Sequence, residues 1–434
     1  MLKAIGVHKI NDLFKDIPKK IFLSGNLHVP SGISELETRS HLFSLSKKNA
    51  NASEYDFFLG GGVYNHFIPA SVWALVSRGE FLTSYTPYQP EISQGMLQSI
   101  FEWQTYICEL TGMDVSNASN YDGAEACAEA VLMSKNITKR KKILVSSALN
   151  PEYKAVARTY ANANSLEFVE VSAETGVTSA ADLSKKIDET TAGVIVQSPN
   201  FFGCIEDIAD MEKIVHEKKS VFVVAVSEAL SLGLLKPPGS FGADIVIGDA
   251  QSFGIPMSFG GPHAGFIATK NEFVRHLPGR IVGITNDSRG NRGFIMTLQA
   301  REQHIRREKA NSSICTNQAL CALAATIHLS LLGKNGVAGL ALQNHERASW
   351  LYEKLSEIKG IEFPFKAPFF NEFVVKIKNL QSVQEKLLEK KIVFGFALEK
   401  KFPGLKDHCL VAMTEMNSDE RAERLVSELK AVVK

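Results

Sequence analysis

Residues 242–256 read Gly242-Ala-Asp-Ile-Val-Ile-Gly-Asp-Ala-Gln251-Ser-Phe-Gly-Ile-Pro256, and Phe259-Gly260-Gly261-Pro262 follows closely. The apolar run predicts a short buried strand, and the polar residues and glycines after it predict a turn at the strand's carboxyl end. In a wound α/β sheet, ligands bind at the carboxyl ends of the strands. The turn that begins near Gln251 is therefore the first candidate for a functional site.

The chain before this turn alternates between short apolar runs and helical stretches. The predicted strands lie at 143–146, 166–171, 193–196, 221–226 and 245–247, and the predicted helices near 151–164, 179–188 and 208–219. Continuous apolar strands separated by helical crossovers are typical of a parallel sheet that is covered on both faces. After residue 336, alternating helices and strands predict a small second α/β domain. We expect an N-terminal arm at 1–60, a large sheet domain at 61–310 and a small domain with its connecting helix at 311–434.

Composition limits the classes of function. Lys and Arg number 48 against 47 Asp and Glu, so no charge excess favours nucleic acid or an anionic membrane as a partner. The six cysteines are scattered without metal-ligand spacing, which predicts neither a disulfide framework nor a metal site. The first residues lack a basic region followed by an apolar stretch, and we found no apolar run near the ~18 residues of a membrane span. We expect a cytoplasmic protein.

A polar loop opens an alanine-rich helix at Asp122, Gly123 and Ala124. A helix N-terminus attracts anions such as phosphate. Asp122 and Glu125, however, place two carboxylates in the first turn, where they stabilise the helix dipole and repel a phosphate dianion. This pattern favours a helix capped by acids, without a ligand.

Two loops carry further candidate residues. Prolines at positions 87 and 90 exclude a helix interior, so Tyr85, Tyr88 and Gln89 lie on an ordered loop that suggests a contact surface. Three glycines at 60–62 permit either tight turns or close approach to something bound, and a plain loop is the favoured interpretation.

Two single residues are also candidates. Glu228 follows the predicted strand 221–226, where it is either a site acid or a hydrogen-bonded or solvated carboxylate. Thr316 precedes another long helix of small residues and is a natural N-cap for it.

Several long motifs carry a family resemblance. They are Gly60-Gly-Gly-Val-Tyr-Asn-His-Phe-Ile-Pro69, Tyr85-Thr-Pro-Tyr-Gln-Pro-Glu-Ile-Ser-Gln-Gly95, Leu232-Gly-Leu-Leu-Lys-Pro-Pro-Gly239, Gln251-Ser-Phe-Gly-Ile-Pro256 and Arg301-Glu-Gln-His-Ile-Arg-Arg307. These motifs resemble the alpha subunits of two-chain glycine dehydrogenases, the decarboxylating P-protein of the glycine cleavage system. The resemblance implies the aspartate aminotransferase-like fold (fold type I) of enzymes that depend on pyridoxal phosphate (PLP).

The resemblance also places Gln251 where those enzymes carry the lysine that binds PLP. An amide nitrogen has no usable lone pair for a Schiff base, so this position cannot anchor the cofactor as a lysine does. We therefore expect no catalytic residue in this chain. Asp122, Gly123, Ala124, Glu228 and Gln251 would form a vestigial cofactor site.

Partners follow from the same resemblance. It implies a homologous beta subunit that binds PLP covalently, an alpha2-beta2 assembly, and a lipoyl-bearing H-protein that accepts the aminomethyl group of glycine. Thr316 becomes a candidate contact to the phosphate of the partner's PLP, with a simple N-cap as the alternative. Tyr85, Tyr88 and Gln89 become candidates for the mouth of the partner's site.

Two other functions stay open. The chain could be a PLP enzyme in its own right, such as a desulfurase or an aminotransferase, and use Lys236 or Lys270 in place of Gln251. It could also be a scaffold that only stabilises its partner.

Overall fold

The computed structural model describes residues 1–23, 25–314 and 316–433. Two compact units are present, Met1–Asn51 and Ala52–Lys434. In the first unit, Ser34 caps a helix at Glu35–Ser46, and Glu37 completes a capping box with it. None of the described residues of this unit is buried. Its helices therefore depend on local hydrogen bonds, without a core of their own.

Helices and strands cover most of the second unit. The α-helices among the described residues are α1 Leu2–Ile5, α2 Glu35–Ser46, α3 Ala70–Val76, α4 Gly79–Leu82, α5 Gln94–Thr111, α6 Gly123–Thr138, α7 Pro151–Ala163, α8 Ala180–Lys186, α9 Ile208–Glu217, α10 Gln303–Arg306, α11 Ala319–Ser356, α12 Leu380–Glu389 and α13 Asp419–Val432. Short 3-10 helices lie at Ile10–Phe14, Pro90–Ile92, Ala229–Gly233, Pro238–Phe241, Asn271–His276, Gln299–Arg301 and Arg307–Lys309.

The strands are β1 Asp56–Phe57, β2 Val115–Ser116, β3 Lys142–Ser146, β4 Glu167–Val171, β5 Thr191–Gln197, β6 Val221–Val226, β7 Ile245–Asp249, β8 Gly265–Thr269, β9 Ile281–Asn286, β10 Arg292–Thr297, β11 Ile361–Glu362, β12 Glu372–Ile377, β13 Ile392–Val393, β14 Phe396–Ala397 and β15 His408–Ala412. All five strands predicted before residue 250 are therefore present. The sequence located them because each contains an apolar run, although β4 also carries Glu167 and Glu170.

The large sheet has seven strands in the order β2-β8-β7-β6-β5-β3-β4. Strands β4, β3, β5, β6 and β7 are parallel neighbours, whereas β8 pairs antiparallel with β7 and β2. Alternate residues of its strands pack into separate apolar clusters on its two faces, for example Val224 on one and Val223 on the other. Burial on both faces explains why the inner strands are mainly apolar, whereas the edge strand β4 carries two glutamates.

The small sheet has four antiparallel strands in the order β11-β12-β15-β14. Its core includes Phe373, Val411 and Leu425, and it also takes in Phe58 from the chain's early part. Asp56–Phe57 pairs with Ile392–Val393 in parallel, inside the stretch 1–60 that we predict as an arm. The domain boundaries at residues 60 and 310 stay predictions.

Helix α11 is long and apolar enough to cross a membrane by length and composition alone, although half of its most apolar window is buried within the protein. Ala322, Ala325 and Leu329 pack in the core beneath the large sheet. At Gly333 the backbone leaves helical geometry, with φ 60° and ψ 178°, so two helices meet there. Packing against the sheet accounts for the apolar composition of its first part.

Strands β9 and β10 were missed by the sequence analysis. Residues 280–297 contain several arginines, and their pattern gave no strand signal. The structure pairs β9 with β10 as an antiparallel hairpin, and Phe294 and Met296 pack against α5 residues such as Leu97. Only one face of this hairpin is buried, and the exposed residues include Arg292 and Asn286 beside Ile284 and Ile295.

Candidate functional site

Residues Gly60–Phe67, which we call the glycine segment, cross the carboxyl ends of β6 and β7. A Cβ on Gly60 would overlap the Glu372 carboxylate, and a Cβ on Gly62 would lie 2.9 Å from Asn150 Nδ2. Gly62 also has a φ of 111°, which side chains rarely adopt. The segment is a loop, as predicted, and its glycines let it pack closely against other parts of the same chain.

Gln251 is 2% exposed, and its side-chain amide is fully occupied by backbone groups. The backbone N–H of Tyr64 donates to Oε1 over 2.8 Å. Nε2 donates to the carbonyls of Tyr64 (3.0 Å) and Ile255 (2.8 Å). The amide thus joins the glycine segment to the turn after β7.

Tyr64 and Glu372 continue this contact toward the small sheet. The Tyr64 hydroxyl donates to Glu372 Oε1 over 2.9 Å, and the Gly61 N–H donates to Oε2 over 2.9 Å. Burial raises the pKa of Glu372 to about 8 despite these two donors. The glycine segment is therefore bonded to both the large and the small sheet.

His66 lies between two buried carboxylates. Its Nε2 is 3.3 Å from Glu228 Oε2, and its Nδ1 is 2.9 Å from Glu415 Oε2. Burial by itself lowers the pKa of His66, but the charges and hydrogen bonds of the two carboxylates outweigh it and raise the pKa to about 10. Burial opposes the ionised form of Glu415 as well, yet His66 holds the pKa of Glu415 at about 2. Glu228, the candidate site acid, therefore faces an imidazolium from its own chain.

An acidic residue caps the N-terminus of helix α6, as the sequence predicts. Asp122 is the N-cap, and its side chain accepts the Glu125 N–H over 2.8 Å. The Gly123 N–H donates to Asp249 Oδ2 over 3.2 Å, and a Cβ on Gly123 would overlap the Tyr153 hydroxyl. Carboxylates and a phenol thus lie where an anion would approach this helix. Ala124 follows in the buried first turn.

These residues do not fit PLP. The structure does bring the five predicted vestigial-site residues together at one edge of the sheet. The lysine position holds an amide that is bonded to the backbone, the site acid already has a cationic partner, and the helix N-terminus carries carboxylates where the cofactor's phosphate would need donors. The glycine segment fills the space between these groups.

Neither alternative lysine reaches this edge. Lys270 Nζ is 2.5 Å from Asp244 Oδ1, which puts it at the amino end of β7. Gln251 lies beyond the other end of this five-residue strand, roughly 16 Å away at the usual rise per residue. Lys236 is exposed in the loop that precedes Pro237. The geometry therefore excludes Lys270 as a substitute for the missing lysine, and it gives Lys236 no contact with this site among the described residues.

The remaining candidates are exposed. Tyr85 is 82% exposed and Tyr88 is 45% exposed, and both lie with the exposed Gln89 on the loop before Pro90–Ile92. Thr316 is exposed as well. We call these four residues the rim.

The prediction that Thr316 caps the following helix is wrong. Helix α11 begins at Ala319 with Gln318 as its N-cap. The Ser119 hydroxyl accepts hydrogen bonds from the Gln318 N–H (3.1 Å) and from Asn317 Nδ2 (2.9 Å), so it takes over the role of the cap. Thr316 therefore does not cap α11.

Four functional residues were missed by the sequence analysis: Tyr64, His66, Glu372 and Glu415. The run Gly60-Gly61-Gly62 was the one local signal, since three consecutive glycines permit close packing. The described residues contain no group of three or more His, Cys, Asp or Glu side chains placed to hold a metal ion.

Comparison with known proteins places this geometry in a family. A sphingosine-1-phosphate lyase from Burkholderia pseudomallei has a similar fold, with a TM-score of 0.69 at 15% identity over 95% of this chain and 93% of that chain. A crystal structure described as glycine decarboxylase (P-protein) of the glycine cleavage system, in inhibitor-bound form, has a TM-score of 0.92 at 44% identity. That match covers 100% of this chain and 97% of the other.

The sequence comparisons agree with the structural ones. The family model for the glycine cleavage system P-protein matches residues 1–429. A probable glycine dehydrogenase (decarboxylating) subunit 1 from Bacillus cereus strain B4264 is 53% identical over 433 residues, which are 100% of this chain and 96% of the relative.

The fold is that of the type I PLP-dependent enzymes, as the strand order and the structural neighbours show. Within that class, the chain belongs to the glycine cleavage system P-protein family.

Proposed function

We propose that this chain is the subunit of a two-chain glycine decarboxylase that holds no cofactor itself. A homologous second subunit binds PLP through a lysine, and the pair decarboxylates glycine and passes the aminomethyl group to the lipoyl group of an H-protein. The names of the relatives support a second subunit, because they describe subunit 1 of glycine dehydrogenase (decarboxylating). An alpha2-beta2 assembly in the cytoplasm belongs to the same proposal.

One observation carries the division of labour. The Gln251 amide is saturated by the backbone of Tyr64 and Ile255, at the position where the fold would use a lysine. A chain with this arrangement can contribute to catalysis only from its surface. PLP chemistry, which supplies an electron sink for decarboxylation, is assigned to the partner.

The rim is the surface that we assign to the partner's site. Thr316 is exposed and does not cap α11, so its hydroxyl is available to a phosphate held by the second subunit. Tyr85, Tyr88 and Gln89 would form the mouth through which glycine enters. The exposure of all four side chains supports this role, since the core does not need them.

Reconstitution tests the proposal. The isolated chain, mixed with PLP and glycine, should form no adduct that borohydride fixes to a peptide and should release no CO2. Addition of the second subunit should give glycine-dependent exchange of CO2. An isolated chain that turns glycine over would overturn the proposal.

Variants of the assembled complex separate a catalytic surface from a scaffold. Thr316→Ala should weaken PLP retention, whereas Ser313→Ala, an exposed hydroxyl in the same loop, should not. If a stable second subunit decarboxylates glycine at the full rate alone, this chain is a scaffold only.

A further inference from the structure

We infer that Arg280 is a positioning residue that fixes Tyr88 and the Thr316 loop relative to each other, so that the partner's site meets them as one surface. This inference rests on the proposed function of the rim. Arg280 directly precedes β9, is 5% exposed, and lies between the loop of Tyr88 and the start of α11. Arg280 itself is too buried to contact a partner.

The guanidinium contacts Tyr88 in two ways. Nη2 donates to the Tyr88 hydroxyl over 2.9 Å, and Cζ lies 5.3 Å from the centroid of its ring. The ring also meets His304 edge-on, with centroids 6.3 Å apart. Tyr88 is thus held at its hydroxyl end while nearly half of the side chain stays exposed. An exposed tyrosine without such an anchor would sample several rotamers.

The second arm of the guanidinium reaches the Thr316 loop. Nη1 lies 3.5 Å from Oδ1 of Asn317, the residue next to Thr316. This bond is long, but the Asn317 amide is fixed independently, since its Nδ2 donates to Ser119 Oγ (2.9 Å) and to the Ala118 carbonyl (3.2 Å). The loop that supplies those acceptors is itself tied to Arg280, because the Ala118 N–H donates to the Arg280 carbonyl over 2.8 Å.

The charge of Arg280 is compensated inside the protein. Glu302 Oε2 lies 3.9 Å from Nε, and both side chains are buried. The guanidinium is therefore not available as an anion site for the partner. The planar guanidinium can donate hydrogen bonds to Tyr88 and Asn317 at the same time, whereas a lysine presents a single nitrogen.

Four complexes with the second subunit test the inference: wild type, Arg280→Lys, Tyr88→Phe and the double variant. Arg280→Lys should raise the KM for glycine about tenfold, the usual loss for one hydrogen bond to a charged group, and should change kcat at saturation by less than about twofold. Tyr88→Phe should have a similar effect. The double variant should be no worse than either single variant, because both remove the same contact.

A matched control is Arg292→Lys. The Arg292 guanidinium also lies over an aromatic ring, 5.5 Å from the centroid of Phe294, and the residue is exposed at the start of β10. Its kinetic constants should equal those of wild type. If position 280 needs only a buried positive charge, Arg280→Lys will also have the kinetic constants of wild type. That result would overturn the inference.

Ser119→Ala tests the other side without touching Arg280. It removes the hydroxyl that holds Asn317 and Gln318, so PLP retention should fall, and adding Thr316→Ala should cause no further loss. Suppose that Tyr88→Phe and Thr316→Ala each have a clear effect, and that the losses add when Arg280→Lys is combined with Tyr88→Phe and Ser119→Ala with Thr316→Ala. That result rejects the positioning role and leaves the proposed function intact. Wild-type behaviour of Tyr88→Phe and Thr316→Ala rejects the role of the rim, and the inference with it.

Discussion

Nε2 of His66 lies 3.3 Å from Oε2 of Glu228, inside a site where both side chains are buried. Glu228 was a candidate site acid in the sequence. Its cationic partner is an imidazolium supplied by the glycine segment, with Glu415 on its other side. The chain thus neutralises a buried carboxylate with one of its own residues.

The His66 contact predicts a dependence of stability on pH. The folded pKa of about 10 exceeds the ordinary value of 6.5, so its contribution is complete below pH 6.5 and is lost as pH rises toward 10. His66→Gln should lower the free energy of unfolding by about 3 kcal/mol near pH 6.5, because two buried carboxylates lose their partner. The difference from wild type should shrink as pH rises from 6.5 to 10.

Urea denaturation across this pH range, followed by tryptophan fluorescence, measures the effect. His8→Gln, which changes an exposed histidine of the first unit, is the control and should follow the wild-type curve. A His66→Gln variant whose deficit is constant from pH 6.5 to 10 would contradict the assignment of a buried imidazolium.

Gln251→Lys should not restore cofactor binding. The amine could replace Nε2 as a donor to the Tyr64 and Ile255 carbonyls, but it offers no acceptor to the Tyr64 N–H. Leaving that buried N–H unpaired costs about 1 to 3 kcal/mol. With PLP, the variant should show a lower melting temperature and no adduct fixed by borohydride. A fixed adduct at residue 251 would mean that the glycine segment can leave the site.

Gly62→Ala should destabilise the chain by about 1 to 3 kcal/mol. The added Cβ would lie 2.9 Å from Asn150 Nδ2, on a backbone with a φ of 111°. Gly79→Ala is the matched control, because a Cβ there meets nothing within 4 Å and the residue opens α4. Thermal denaturation of both variants checks the prediction, and equal melting temperatures would refute close packing of the glycine segment.

Glu125→Gln should stabilise the chain at alkaline pH. Burial and the charge of Glu129 raise the pKa of Glu125 to about 8. A carboxyl whose pKa is raised on folding costs stability as pH climbs from the ordinary value of 4.5 to 8. Glutamine keeps an acceptor for Asn120 Nδ2 and removes this cost. We expect a gain of about 3 kcal/mol at pH 8.5 relative to pH 5.5.

The control for this variant is Glu167→Gln, which changes an exposed carboxyl on β4. For Glu167→Gln, the urea midpoint should change between the two pH values by the same amount as in wild type. For Glu125→Gln, the midpoints at the two pH values should be closer together than in wild type. A parallel shift for Glu125→Gln would show that Glu125 titrates as a solvated acid.

The sequence predicted the features that depend on local pattern. The runs at β3, β5, β6 and β7 are mainly apolar because both faces of the sheet are covered, and Asp122 caps α6 through a contact three residues away. Gln251 was located by the strand and turn around it, aided by the family resemblance. Patterns of this kind are visible within a window of about 18 residues.

Other features depend on contacts between distant residues. Tyr64 and Gln251 are 187 positions apart, and Ser119 meets Gln318 across 199 positions. No local propensity reports that Ser119 will take over the end of a helix, so Thr316 was assigned a cap that it does not form. The hairpin of β9 and β10 escaped because only one of its faces is buried.

The hydrogen bonds from Gly61 and Tyr64 to Glu372, and from Tyr64 to Gln251, form without any bound cofactor. A ligand stabilises a protein by mass action only when it binds the native state. Here the glycine segment takes the place of a ligand and is part of the polypeptide, so folding is independent of the supply of vitamin B6. Under the proposed division between the two subunits, this chain would reach its folded state before the second subunit receives its coenzyme.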